Sequence, residues 1–160
     1  MEEAKYMYLN FMQDYAAYAP YEDTCTEQEL DEIERSLNIK LPRAYRELCL
    51  IIGKKRAFTM ADNSFNYPDY QQMREAAIAL VSDDDEVEVN IDENVFVFTC
   101  NLELSAIGYF PLNEGDDPPV YEYAIGYDEP EKMAEHLSEY VKRLALYAGH
   151  LYRKDKAGKQ

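Results

Sequence analysis

His136 and His150 are the only imidazoles in the 160-residue chain, so they are the first place to look for a general base or a metal ligand. They lie fourteen positions apart in one C-terminal helical stretch. On an ideal helix that spacing sets them about 40° apart around the axis but about four turns apart along it, too far to share one ion. No HExxH, CxxC, P-loop, GxGxxG or GxSxG pattern provides a partner constellation. Cys49 and Cys100 sit in apolar runs and read as buried reduced thiols, while Cys25 stands beside a helix start. An odd number of widely spaced cysteines predicts no disulfide and a cytoplasmic location. The chain therefore reads as a non-enzyme with no catalytic residue, cofactor site or metal site.

Carboxylates are the abundant chemistry. Asp83-Asp84-Asp85-Glu86 lacks the alternating ligands, the glycine and the closing glutamate of a calcium loop. Asp116-Asp117, inside Gly115-Asp116-Asp117-Pro118-Pro119, offers too few ligands for a cation and reads as a solvated turn whose prolines fix the entry to a strand. The distribution says more than any single acid. The chain carries 32 acidic and 16 basic residues, a formal net charge of −16. Between Asp83 and Glu135 stand 16 acidic residues and one basic residue, Lys132; the remainder is nearly balanced, with 16 acidic and 15 basic. The one compact basic run of the first half, Lys54-Lys55-Arg56, suits the end of a helix.

Such a surface repels phosphate backbones and anionic lipid, which argues against direct nucleic-acid or membrane binding. It keeps a chain soluble, and it also favours a basic protein partner, with association fastest at low salt. The candidate partner-binding residues are Asp83, Asp84, Asp85, Asp92, Glu93, Asp116 and Asp117, with exposed members of the 15 tyrosines as apolar anchors.

These residues must be positioned by one ordinary domain. The composition is 47% apolar and 13% aromatic, ample for a core without metal or disulfide staples. No apolar run approaches the roughly 20 residues that span a bilayer, and the start lacks the basic and apolar regions of a secretory signal. An amphipathic helix is expected over Glu3 to Tyr18, ended by Pro20. Thr26 and Glu29 form a capping-box pattern ahead of a helix with Leu30, Ile33 and Leu37 inward. Pro42 suits the start of the next helix, with Tyr45, Leu48, Cys49 and Ile52 inward and Gly53 as its stop. A further helix is expected from Asp69 to Val81, with Met73, Ala76, Ala77 and Leu80 inward. Alternation of Val87, Val89 and Ile91 predicts a strand with one wet face. Val95 to Phe98, Leu104 to Leu112 (interrupted near Gly108) and Val120 to Ile125 predict three more. Asp128 to Glu131 should open a C-terminal helix with Met133, Leu137, Tyr140, Val141 and Leu144 inward. Helices, then contiguous strands, then a closing helix make an α+β class with a mainly antiparallel β-sheet backed by helices.

Two segments carry a family resemblance. The first, Thr26-Glu-Gln-Glu-Leu-Asp-Glu-Ile-Glu-Arg-Ser-Leu-Asn-Ile-Lys-Leu-Pro-Arg-Ala-Tyr-Arg-Glu-Leu, resembles the opening helix, Leu-Pro step and Tyr-bearing second helix of the SUKH superfamily. That superfamily's members are similar to the fungal cell-wall assembly regulator. The second runs from Val95-Phe96-Val97-Phe98 through Gly108-Tyr109-Phe110 to Glu114-Gly115-Asp116-Asp117-Pro118-Pro119-Val120-Tyr121-Glu122-Tyr123, and is similar to the core strands and Asp-Pro-Pro turn of bacterial members. Roughly residues 26 to 147 are covered. Bacterial relatives often read His-Gln-Gly-Tyr where this chain has Asn101-Leu102-Glu103-Leu104, and that position is not carried over.

The resemblance implies a SUKH-like domain over 26–150, the residues ahead of it read as an N-terminal helical extension over 1–25, and 151–160 read as a frayed basic tail. It implies no catalytic activity. It implies an immunity protein that binds a cognate toxin, possibly a nuclease, by stoichiometric occlusion in the cytoplasm. The alternative is an intracellular scaffold or regulatory adaptor whose partner is not a toxin. Leu41, Pro42, Tyr121 and Tyr123 would then be structural residues.

Overall fold

Thr26 closes both halves of the predicted cap. Its hydroxyl accepts from the Glu29 amide at 3.1 Å, and the Glu29 carboxylate accepts from the Thr26 amide at 3.0 Å. Helix α1 (Glu27–Leu37) follows, burying Leu30 and Ile33, and ends where Asn38 turns left-handed at φ 53°. The computed structural model describes residues 6–12, 24–52, 70–83, 89–101 and 105–146. Helix α2 (Arg43–Ile52) starts directly after Pro42, whose carbonyl accepts from the Tyr45 and Arg46 amides. Helix α3 (Tyr70–Ser82) buries Met73 and Ala77. Gly53, Lys54-Lys55-Arg56, His150 and the tail lie outside the described residues.

A four-stranded antiparallel meander follows, in the order β1 (Val95–Asn101), β2 (Ala106–Pro111), β3 (Val120–Ala124) and β4 (Glu131–Ala134). Residues 137–146 form the closing helix, α4. The chain is thus α+β, with an antiparallel sheet backed by helices.

The sheet has an aromatic inner face. Phe96 pairs with Phe110 in the β1–β2 register, and their rings meet the fully buried Tyr45 of α2 at centroid distances of 5.2 and 5.3 Å. Tyr70 of α3 and Tyr140 of α4 close the same cluster, against Phe96 and Phe98 respectively. Burial pushes the Tyr45 hydroxyl well above the ordinary tyrosine range and raises Tyr140 to about 12. The Tyr45 hydroxyl is not orphaned, because it bonds the Tyr70 hydroxyl at 3.0 Å. None of Cys25, Cys49 and Cys100 is in a disulfide, and all three are buried.

Four expectations change. Residues 89–92 are not strand, and residues 84–88 lie outside the described residues. The backbone acceptors of this segment go to Arg74 instead: its guanidinium bonds the carbonyls of Ile91, Asp92 and Val95, although Val89 and Ile91 still pack on the core. Next, β2 runs unbroken through Gly108, and the irregularity lies opposite, between Val97 and Thr99 of β1. The bulge brings both Phe98 and Thr99 over Gly108, where a Cβ would stand 2.5 Å from the Thr99 hydroxyl.

The C-terminal helix starts later than expected. Residues 131–134 pair with β3 as an edge strand, placing Met133 on β4 rather than on the helix. Pairing satisfies the open edge of β3, and the Arg143 guanidinium takes the Met133 carbonyl on the far side. Near the N-terminus, residues 6–11 form turns and helix begins at Met12. The amides of Met7, Tyr8 and Leu9 are held by the Glu47 carboxylate at 2.9–3.1 Å. Leu9 and Met12 nonetheless join the common core.

Candidate protein-interaction surface

Among the described helices, α2 and α4 have no capping side chain of their own. Pro42 precedes α2 and His136 precedes α4. The acidic turn between β2 and β3 supplies both caps from a distance. Gly115, at φ 86°, takes the left-handed bend that an L side chain resists. Asp116 then accepts from the Arg43 amide through its carboxylate and from the Ala44 amide through its carbonyl, at 3.2 and 2.9 Å. Asp117 does the same for α4. Its two carboxylate oxygens accept from the Ser138 amide at 2.8 Å and the Ser138 hydroxyl at 2.6 Å. Negative charge at a helix N-terminus is favourable. The His136 ring nitrogen Nδ1 bonds the Asp117 carbonyl at 2.8 Å, which raises the His136 pKa.

The α1–α2 corner is bound by charge. Arg46 bonds Glu27, Asp31 and Glu34 at 2.5, 2.9 and 2.8 Å. Burial opposes its charge, but the three carboxylates outweigh that, and the net shift is upward. Glu47, only 5% exposed, joins Arg43 at 3.2 Å while holding the three N-terminal amides. Between these residues lies a cleft of about 780 Å³ whose lining includes Lys40, Arg43, Arg46, Glu34, Glu47 and Asp116. Its charged groups are mostly committed to one another, and His136 does not line it. Among the described residues no group of three His, Cys, Asp or Glu side chains is arranged to hold a metal ion.

The sequence candidates divide by position. Asp83, at the end of α3, and Asp92 and Glu93, at the entry to β1, are exposed. Asp92 Oδ1 accepts from the Asn94 amide at 2.8 Å, a local turn bond that leaves its other oxygen outward. The Asn94 carbonyl accepts from the Leu112 amide, which sets this turn and the 112–117 turn at one end of the sheet. Asp116 is exposed there as well, whereas Asp117 is half-buried on Ser138. Asp84 and Asp85 lie outside the described residues. Sequence reading missed Glu47, Arg46 and Arg74, whose roles depend on contacts 12 to 40 positions away in the chain.

Both segments of the sequence motif thus meet at one junction, where the Asp116-Asp117 turn caps α2, just after the Leu41-Pro42 corner, and α4. The SMI1/KNR4 family (SUKH-1) model matches residues 24–143, from the α1 cap into α4. The chain belongs to this family. The match covers all four strands, α1 to α3 and most of α4. No curated protein matches the chain. SUKH proteins are commonly immunity proteins that bind toxins, and the family is generally of a non-enzymatic immunity or regulator type. In this SUKH chain the acids of the Asp-Pro-Pro turn cap α2 and α4. No helix among the described residues is long and apolar enough to cross a membrane.

Proposed function

We propose that this SUKH protein is a cytoplasmic immunity protein that neutralises a cognate toxin by stoichiometric occlusion, steered by an acidic face. The observation that carries the reading is the segregation of charge in a family of toxin binders: 16 acidic residues against Lys132 alone between Asp83 and Glu135. Asp83, Asp92, Glu93 and Asp116 present carboxylates to solvent on this stretch, and Asp84 and Asp85 belong to the same run. A basic toxin, such as a nuclease that must itself hold phosphate, is the complementary partner. Asp117 enters this reading as the residue that fixes the turn.

Co-expression with the product of an adjacent toxin gene tests it. Growth should be rescued, and the two chains should co-purify one to one. A toxin that kills equally with and without this chain, and forms no complex with it, would refute the proposal. The scaffold or adaptor reading predicts instead a partner with no toxicity.

A further inference from the structure

One row of paired residues crosses the sheet, one per strand, from the buried Val97 through Tyr109 and Tyr121 to the exposed Lys132. The rings of Tyr109 and Tyr121 stack at a centroid distance of 5.7 Å and an interplanar angle of 17°. Both are half-buried. Lys132 lays its ammonium 5.9 Å from the Tyr121 ring centroid and bonds the exposed Glu135 carboxylate at 3.2 Å. Glu114 adds its field to that ammonium. Lys132 is also the one cation in the acid-rich stretch, and it sits on the one stacked ring pair of the described sheet.

A surface lysine held by one exposed ion pair and one ring contact is bound weakly and exchanges readily. A guanidinium is planar, stacks better on an aromatic face and is less strongly hydrated than an ammonium. We propose that Tyr109, Tyr121 and Glu135 form a docking subsite for an arginine side chain of a basic protein partner, with Lys132 as its internal place-holder. The proposal rests on the reading that the partner is a basic protein, and it names the residue type that partner inserts.

The probe is a fluorescent nona-arginine peptide, titrated into the full chain at low salt and followed by anisotropy, with nona-lysine in parallel. Wild type should prefer nona-arginine. Tyr121→Leu should weaken it about tenfold, while Tyr121→Phe, which keeps the ring, should bind as wild type. Lys132→Gln should tighten binding several-fold more than Lys142→Gln, an equal charge change on exposed α4. The subsite is overturned if Tyr121→Leu binds as wild type, if the two lysine variants behave alike, or if arginine and lysine peptides are not distinguished. Should Tyr121→Leu fold poorly, the lysine pair still decides. Toxin neutralisation is read separately by growth, so loss of the subsite with growth rescue intact leaves the parent proposal standing.

Discussion

Glu47, Asp116 and Asp117 bond amides of distant chain segments, while Asp83, Asp92 and Glu93 bond none and face water, although all six are carboxylates of one acidic chain. The first group holds six backbone amides between them, those of residues 7, 8, 9, 43, 44 and 138. These segments have no local partner for those amides, so the acids substitute for missing caps. Around Asp92 and Glu93 the backbone is held by Arg74, and the side chains of the second group are left facing solvent. Negative charge alone therefore does not mark a binding residue; what its oxygens already accept decides the role.

That division predicts a graded series. Glu47→Ala should cost most, about 3–5 kcal/mol, because it leaves amides and the Arg43 guanidinium without their acceptor. Urea unfolding measures it, and a loss below about 1 kcal/mol would place Glu47 with the outward group. Asp117→Ala should cost about 2 kcal/mol, through the α4 cap and the Ser138 hydroxyl. Replacing Asp83, Asp92 and Glu93 together by Asn, Asn and Gln should move stability by no more than about 0.5 kcal/mol per site, while slowing association with a basic toxin.

The smallest effect belongs to His136. Its bond to the Asp117 carbonyl raises its pKa above the ordinary 6.5. The associated stability is fully present below the unfolded-state value and is lost as pH rises through the higher folded-state value. The difference in Tm between wild type and His136→Gln should therefore be larger at mildly acidic pH than at mildly alkaline pH. A difference that does not change with pH would remove His136 from the junction.

Local signals were the legible ones. The Thr26–Glu29 box, the α1 to α3 stripes and the β1 to β3 apolar runs all follow from residues within a few positions of each other. What escaped was set by distant contacts. The Val89–Ile91 alternation is strand-like, but Arg74 takes the carbonyls a ladder would use. Glu131-Lys132-Met133-Ala134 has no strand propensity, yet the open edge of β3 recruits it. The candidate site was half legible. Counting charge located the acidic stretch, but only geometry separates Asp117, committed to Ser138, from the outward Asp92 and Glu93. Lys132 was visible as the lone cation between Asp83 and Glu135; its place over Tyr121 depends on register across β3 and β4.

The association rate of the purified chain with the proposed toxin, measured across ionic strength, tests the central claim most directly. Steering by the outward acids predicts a rate that falls steeply between about 50 and about 500 mM salt, with a much shallower slope in the Asp83, Asp92 and Glu93 triple variant. A salt-independent rate, equal in wild type and the variant, would contradict it.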